Sequence, residues 1–177
     1  MNIAETKRQN NVSEYIIHMY QTEDLIRAYE FKIEDIEEYV IKHIPNDENE
    51  KIELTDWYKG IINEMKEDGV EKYGHLNSVQ KIVDELSTMY EDLQNTDSAF
   101  EEVRKRSKSH IDKNLELANG VITNEVQICL NGVYGLLLLR MSGKTVSEEL
   151  MESINAFGDI LSYLSYKYKQ KYYLNKN

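Results

Sequence analysis

One segment of the chain is apolar at almost every position: VQICLNGVYGLLLLRM, from Val126 to Met141. A helix on a protein surface is apolar on one side only, whereas this segment is apolar around most of its circumference. It predicts an apolar central helix, at about residues 124–142, in a packed helical domain. At about 100° per residue, Arg140 falls on the same stripe as Val126, Cys129, Val133 and Leu137. A charge on that stripe needs a counter-charge, because burying it alone is costly.

Proline and glycine are scarce in this chain. Its 177 residues include one proline and eight glycines. A β-rich domain of this length needs many tight turns, which favour both residues. Apolar residues recur with helical spacing over nearly the whole chain, and neither a repeat nor a linker divides it. We predict an all-α fold, a single domain over residues 1–177 built as an antiparallel bundle of six or seven helices.

The net charge of −11 limits the classes of partner. Phosphate binding needs clustered Lys and Arg, so no nucleic-acid partner is predicted. Two basic runs, at residues 104–108 and 167–171, are interpreted as solvated helix faces. The longest apolar run, Val133 to Leu139, is far shorter than the roughly 20 residues that cross a bilayer. No membrane-spanning segment or membrane partner is therefore predicted.

The single cysteine and the N-terminal residues bear on the compartment. Cys129 has no second cysteine with which to form an intrachain disulfide, and its place on the apolar stripe is typical of a small buried side chain. Residues Met1 to Arg8 lack the apolar core of a signal peptide. Together these features predict a reducing, cytoplasmic location.

Cap and turn residues predict where the helices begin and end. The first helix is expected from about Ile3 to Phe31, the second from about Ile33 to Ile44, the third from near Thr55 to Gly69, and the fourth from Leu76. Capping boxes are expected at Ser98 with Glu101 and at Thr145 with Glu148, and Gly143 closes the apolar helix.

The first long helix carries charge on its apolar face. Glu23 and Arg27 lie within about 20° of Ile16 on the helical wheel. They are four residues apart with the acid first, the favourable order for an ion pair. We therefore predict a buried network of Glu23, Arg27 and Arg140. It either holds a small anionic ligand through arginine or pairs only with itself and fixes the helix register.

His75 follows Gly74 at the start of the fourth predicted helix. It is a candidate general base or metal ligand, and it is equally a candidate cap or loop hydrogen-bond partner. With Tyr134 it completes the predicted ligand-binding residues, which are Glu23, Arg27, His75, Tyr134 and Arg140.

Metal and catalytic motifs are absent from the sequence. There is no HExxH, no pair of Glu-x-x-His motifs and no second cysteine for zinc. The pairs Glu34 with Glu37 and Glu64 with Glu67 superficially match the ExxE element of magnesium-dependent all-α nucleotide pyrophosphatases. In a chain with 32 acidic residues such pairs arise by chance. No catalytic residue, metal site or cofactor is therefore predicted.

The glycines give a weaker indication of close helix packing, and the tyrosines a weaker indication of an interaction surface. Gly132 and Gly135 each cost about 1 kcal/mol in a helix, which predicts close approach of a neighbouring helix or large side chain. Five of the 13 tyrosines lie between Tyr163 and Tyr173. Since tyrosine is favoured at interfaces, this end is either a partner surface or the rim of the core.

Three stretches carry a resemblance to a known family: YQTEDLIRA at residues 20–28, GHL at residues 74–76 and LNGVYGLLLLR at residues 130–140. With Trp57-Tyr58, they resemble a bacterial domain-of-unknown-function family of small all-helical proteins. Tyr20 stands where that pattern has tryptophan, a conservative change. The resemblance implies an all-helical fold and supplies no activity and no catalytic residue.

Three functional hypotheses follow. The acidic surface, the tyrosine-rich end and the missing catalytic motifs favour a non-enzymatic cytoplasmic interaction module that self-associates, with a second copy or another protein as partner. The alternatives are a small anionic-ligand-binding protein with a pocket around Glu23, Arg27 and Arg140, and a magnesium-dependent all-α nucleotide pyrophosphatase.

Overall fold

The computed structural model describes residues 3–174, and every regular element in them is helical. The predicted all-α fold is therefore confirmed. The α-helices are α1 (Ile3–Asn10), α2 (Val12–Ala28), α3 (Ile33–Tyr39), α4 (Glu48–Glu67), α5 (Asn77–Thr96), α6 (Ser98–Ala118), α7 (Glu125–Met141) and α8 (Glu148–Lys169). A 3₁₀ turn covers Ile41–His43 and a π turn covers Gln170–Leu174.

The described residues form two compact units. The first unit comprises residues 3–17 and 81–174, and the second comprises residues 18–80. Helices α2 and α5 each begin in one unit and end in the other. The prediction of a single domain over the whole chain remains a prediction.

The core of the first unit lies along α8, which packs on both α6 and α7. A Cβ atom added at Gly132 of α7 would lie 2.5 Å from a ring carbon of Phe157 in α8, so the predicted close approach is confirmed there. It is wrong for Gly135, where a Cβ atom would meet nothing within 4 Å. The fully buried side chains of this unit include Phe100, Leu130, Phe157 and Leu164.

The second unit packs α4 against α3 and the 3₁₀ turn. Between α2 and α3 the chain turns through Glu30 and Phe31, both with positive φ. The Lys66 ammonium lies over the Phe31 ring, 5.9 Å from the ring centroid. The buried apolar side chains of this unit include Ile26, Ile36, Ile41, Ile62 and Met65.

Several predicted helix limits are wrong, each because a side chain caps a helix elsewhere. The first predicted helix divides at Asn11, whose side-chain oxygen accepts from the Glu14 amide as an N-cap does. Helix α4 begins seven residues before Thr55, because Asp47 and Glu50 form a capping box. Asp97 and Ser147 cap α6 and α8, rather than the predicted residues Ser98 and Thr145.

The predicted apolar helix is confirmed as α7, but its two halves differ in burial. In the first half Val126, Cys129 and Leu130 are buried, whereas Leu138 and Met141 near its end are 41% and 63% exposed. Within residues 3–174, no helix is both long enough and apolar enough to span a bilayer.

Candidate functional site

A buried carboxylate, Glu23 of α2, organises a polar cluster in the second unit. The residue is 0% exposed, and it lies on the same side of α2 as the buried Met19 and Ile26. One carboxylate oxygen is 2.7 Å from Nδ1 of His75. The other accepts a hydrogen bond from the backbone N–H of Leu76 at 3.0 Å. Both oxygens of the buried group therefore have partners, as burial demands.

The carboxylate determines how His75 can act. A carboxylate accepts hydrogen bonds, so Nδ1 of His75 is the donor in this pair and Nε2 lies at the edge of the ring away from Glu23. The ring also stacks on Tyr20, with centroids 3.7 Å apart. The His75 side chain is 30% exposed, and Nε2 has no hydrogen-bond partner within residues 3–174. The ring is thus oriented, and Nε2 is available for a further contact.

Arg27 is used differently from the prediction. Its Nη1 donates to the Asp24 carboxylate at 3.0 Å, and its Nη2 donates to the carbonyl oxygens of Val70 and Gly74 at 2.8 and 2.6 Å. The predicted ion pair with Glu23 is therefore wrong, because Glu23 is bound to His75 and Leu76 instead. Two of the three guanidinium nitrogens of Arg27 are occupied within the protein.

Together Glu23 and Arg27 fix the connection between α4 and α5. Arg27 binds carbonyls at residues 70 and 74, and Glu23 binds the amide that opens α5. Asp68 adds two further bonds, accepting from the backbone and side-chain nitrogens of Asn77. Gly74 has a φ of 93°, a conformation that glycine adopts without strain. The cluster therefore stabilises the loop, and the edge of His75 remains available for other contacts.

The remaining predicted site residues, Tyr134 and Arg140, belong to α7 in the first unit. Tyr134 is half-buried and Arg140 is exposed, so the buried charge predicted at Arg140 is wrong. The structure brings Glu23, Arg27 and His75 together in the second unit. Arg140 instead lies in the last turn of α7, where it is exposed. A ligand-binding role for these five residues remains a prediction.

Two members of the cluster were missed by sequence reasoning. Tyr20 supplies the stacking surface and Asp24 supplies the counter-charge of Arg27. A signal was present, because Tyr20, Glu23 and Arg27 are spaced by three and four residues and so share one helix face. No sequence pattern marks the loop carbonyls that bind Arg27, since every residue carries a backbone carbonyl.

Acidic residues do not converge into a metal site. Within residues 3–174, no three side chains of His, Cys, Asp or Glu are placed to hold one ion. Glu34 and Glu37 are exposed on α3, as is Glu67 on α4. The pyrophosphatase alternative therefore gains no support from the placement of these residues.

A second surface stands out at the end of the first unit. We define the α7–α8 patch by four residues: Leu138 and Met141 of α7, Val146 in the connection that precedes α8, and Leu150 of α8. Leu150 is 39% exposed, although it lies on the face of α8 that carries the buried Ile154 and Phe157. Val146, two residues before α8 begins, is half-buried. Exposed charged residues are close to these positions in the sequence: Arg140, Lys144, Glu148 and Glu149, of which Glu149 pairs with Lys113 of α6 at 2.6 Å.

Comparison with known proteins places the chain in a family. Residues 1–173 match the sequence model of a family described as a domain of unknown function, DUF4924. No curated protein and no solved structure matches the chain. The three motifs and the helical fold predicted a family of this kind, and the match spans nearly the entire sequence. The chain therefore belongs to the DUF4924 family of domains of unknown function.

Proposed function

We propose that this protein is an interaction module that self-associates through the α7–α8 patch. The observation that carries the proposal is Leu150, which stands on the core face of α8 yet is 39% exposed. Leu138 and Met141 extend the exposed apolar surface onto α7. Monomeric proteins rarely leave grouped apolar side chains exposed, and such patches mark interaction sites.

The charges around the patch favour a second copy as the occupant. Arg140 in the last turn of α7 and Lys144 just after it are positive, and Glu148 at the start of α8 is negative; the neighbouring Glu149 pairs with Lys113. In a two-fold interface the same surface faces itself, so a surface that carries both signs can complement its own copy. Elsewhere the excess of acid gives like-charge repulsion between copies, since the chain has a net charge of −11.

Sedimentation velocity over a range of concentrations tests this proposal. The unmodified protein is expected to form a dimer, and Leu138→Glu with Met141→Glu is expected to be monomeric at the same concentrations. Leu117→Glu is the matched control, because Leu117 is equally apolar and more exposed but lies on α6 outside the patch. Circular dichroism of each variant verifies the helical content.

Two results would overturn the proposal. One is a strictly monomeric unmodified protein at the highest soluble concentration. The other is a dimer that persists in the doubly substituted variant, because the interface would then lie elsewhere.

A second candidate function, small-ligand binding, is favoured by the free Nε2 of His75. Glu23 fixes the ring, so a ligand that donates a hydrogen bond meets a prepared acceptor. The predicted anionic ligand would compete with Asp24, Val70 and Gly74 for Arg27. NMR of the His75 ring protons during titration with carboxylates, phosphates and neutral amides tests this candidate. It is wrong if no compound shifts these resonances more than those of His43.

A further inference from the structure

A groove in the second unit lies between the 3₁₀ turn and the first three turns of α4. Its volume is about 380 Å³, within the range of small-molecule sites. We term it the Thr55 groove. Ile41 lines it from the 3₁₀ turn, and Lys51, Ile52 and Thr55 line it from α4. All of these residues belong to the second unit, so this unit alone forms the groove.

Thr55 contributes an unpaired hydroxyl to this groove. Thr22 and Thr88 donate to the carbonyl oxygen four residues earlier in their helices. The Thr55 hydroxyl forms no hydrogen bond within residues 3–174, although the residue is only 6% exposed. The hydroxyl is not sealed off by its neighbours, and the exposed part of the residue lies in the groove. A group that bonded to this hydroxyl from the groove would therefore be stabilised.

Lys51 contributes a loosely bound ammonium to the same groove. Its side chain is 21% exposed, compared with 61% for Lys42. The Lys51 ammonium is 3.5 Å from the Glu48 carboxylate and 3.4 Å from the Lys42 carbonyl oxygen. Both distances exceed the roughly 3.2 Å limit of a good hydrogen bond. The Lys42 ammonium, by contrast, is bound to Glu38 at 2.7 Å. Lys51 is therefore the lysine that an anion in the groove would engage at least cost.

The spacing of these side chains suits one small ligand. Lys51 and Thr55 are four residues apart on α4, so their Cβ atoms are about 6 Å from each other on one face of the helix. A carboxylate has two oxygens and can accept from both donors at once. Ile52, which is 61% exposed, and Ile41, which is 2% exposed, supply apolar surface beside them. An inorganic anion would make no use of that surface.

We propose that the Thr55 groove binds a small organic carboxylate with a short alkyl chain. The Lys51 ammonium and the Thr55 hydroxyl donate to the carboxylate, and the alkyl chain covers Ile41 and Ile52. The net charge of −11 repels anions in general, so binding depends on this local arrangement. The site is separate from the α7–α8 patch and from the cluster around His75, and it depends on neither.

Calorimetric titration with 4-methylpentanoate tests the site. The unmodified protein is expected to bind one molecule per chain. Lys51→Gln is expected to weaken binding about tenfold and Thr55→Val about fivefold, which corresponds to losing a charged and a neutral hydrogen bond. Thr55→Ser keeps the hydroxyl and is expected to bind as the unmodified protein does. Lys105→Gln is the matched control, because Lys105 also faces an acid three residues earlier at 3.6 Å but lies on α6.

The control separates a specific site from a general effect of overall charge. Equal affinity in Lys51→Gln and Lys105→Gln would overturn the proposal, as would unchanged affinity in Thr55→Val or the absence of binding to the unmodified protein. Equal binding of inorganic phosphate or of 4-methyl-1-pentanol would also overturn it, because the carboxylate and the alkyl chain are both required. Thermal unfolding of each variant verifies that the fold is retained.

Methyl NMR of the unmodified protein locates the ligand without any substitution. Titration with 4-methylpentanoate is expected to shift the methyl resonances of Ile41 and Ile52 and to leave those of Ile111 in place. Ile111 is the reference because it is buried on α6 in the first unit. Shifts at Ile111 as large as those at Ile41 and Ile52 would overturn the assignment of the site to the groove.

Discussion

Gly132 of α7 lies directly against the ring of Phe157 in α8, and an added Cβ atom would be 2.5 and 2.7 Å from two ring carbons. Contacts this short cannot persist, so either the ring or the helix would have to move. Phe157 is 1% exposed and is surrounded by the core of the first unit. We expect Gly132→Ala to lower the free energy of unfolding by about 1–2 kcal/mol, because overpacking outweighs the gain in helix propensity.

The same substitution at Gly135 has the opposite expected sign. A Cβ atom there would meet nothing within 4 Å, and the residue lies inside the same helix. Gly135→Ala is therefore expected to raise the free energy of unfolding by about 0.5–1 kcal/mol. Urea titration of both variants tests the pair, and a gain in stability for Gly132→Ala would contradict the contact.

The second prediction concerns Glu23. Substitution by glutamine keeps the size but removes the charge that holds His75 and the Leu76 amide. We expect Glu23→Gln to lower the free energy of unfolding by about 1–3 kcal/mol at neutral pH. Glu34→Gln is the control, since Glu34 is exposed on α3. Equal stability of both variants in urea titration would show that the pair of Glu23 with His75 contributes nothing to the free energy of unfolding.

The third prediction is a pH dependence at Asp97. Hydrogen bonds from Lys167, from the Phe100 amide and from Tyr163 lower the pKa of this carboxyl to about 2, from an ordinary value of 3.8. A lowered pKa stabilises the folded state above the ordinary value, and this contribution is lost as pH falls from about 4 to 2. Asp97→Asn keeps a good N-cap residue but cannot titrate.

We therefore expect the stability difference between unmodified protein and Asp97→Asn to shrink across this pH interval. Thermal unfolding at closely spaced pH values measures it. Asp159→Asn, at an exposed position on α8, controls for the general effect of removing an acid. A difference that stayed constant down to pH 2 would contradict the lowered pKa.

The fourth prediction concerns the single cysteine. Burial raises the pKa of the Cys129 thiol, and the residue is fully buried. Thiolate is the reactive form, so the native protein is expected to react very slowly with a disulfide reagent and rapidly once urea unfolds it. Fast labelling under native conditions would mean that the first half of α7 opens readily.

Sequence reasoning identified the helical class because proline is nearly absent and apolar residues recur with helical spacing. It found Gly143 as the end of α7, since glycine adopts the positive φ of 68° seen there. It missed the start of α4, because the acidic run at residues 46–50 looks like a loop, although Asp47 and Glu50 have capping-box spacing. The capping-box pattern was therefore present in the sequence, but the acidic composition of the run led to the prediction of a loop.

Long-range contacts were harder to predict, for a physical reason. Periodicity gives the angle of a side chain around its helix but not how far the neighbouring helices extend. Arg140 has the angle of a buried residue, yet it lies near the end of α7 and is exposed. The partner of Glu23 is 52 residues away in His75, and helical spacing carries no information about that distance.

The segment between α4 and α5 has almost no regular structure, and an unbound loop of this kind would act as a joint. Here Arg27 holds two of its carbonyl groups and Glu23 holds its last amide. Bending at this point would have to break three hydrogen bonds to α2 at once. The segment is consequently braced against the part of α2 that lies in the second unit, and the amide proton of Leu76, which Glu23 binds, should exchange with solvent as slowly as those of the adjoining helical turns.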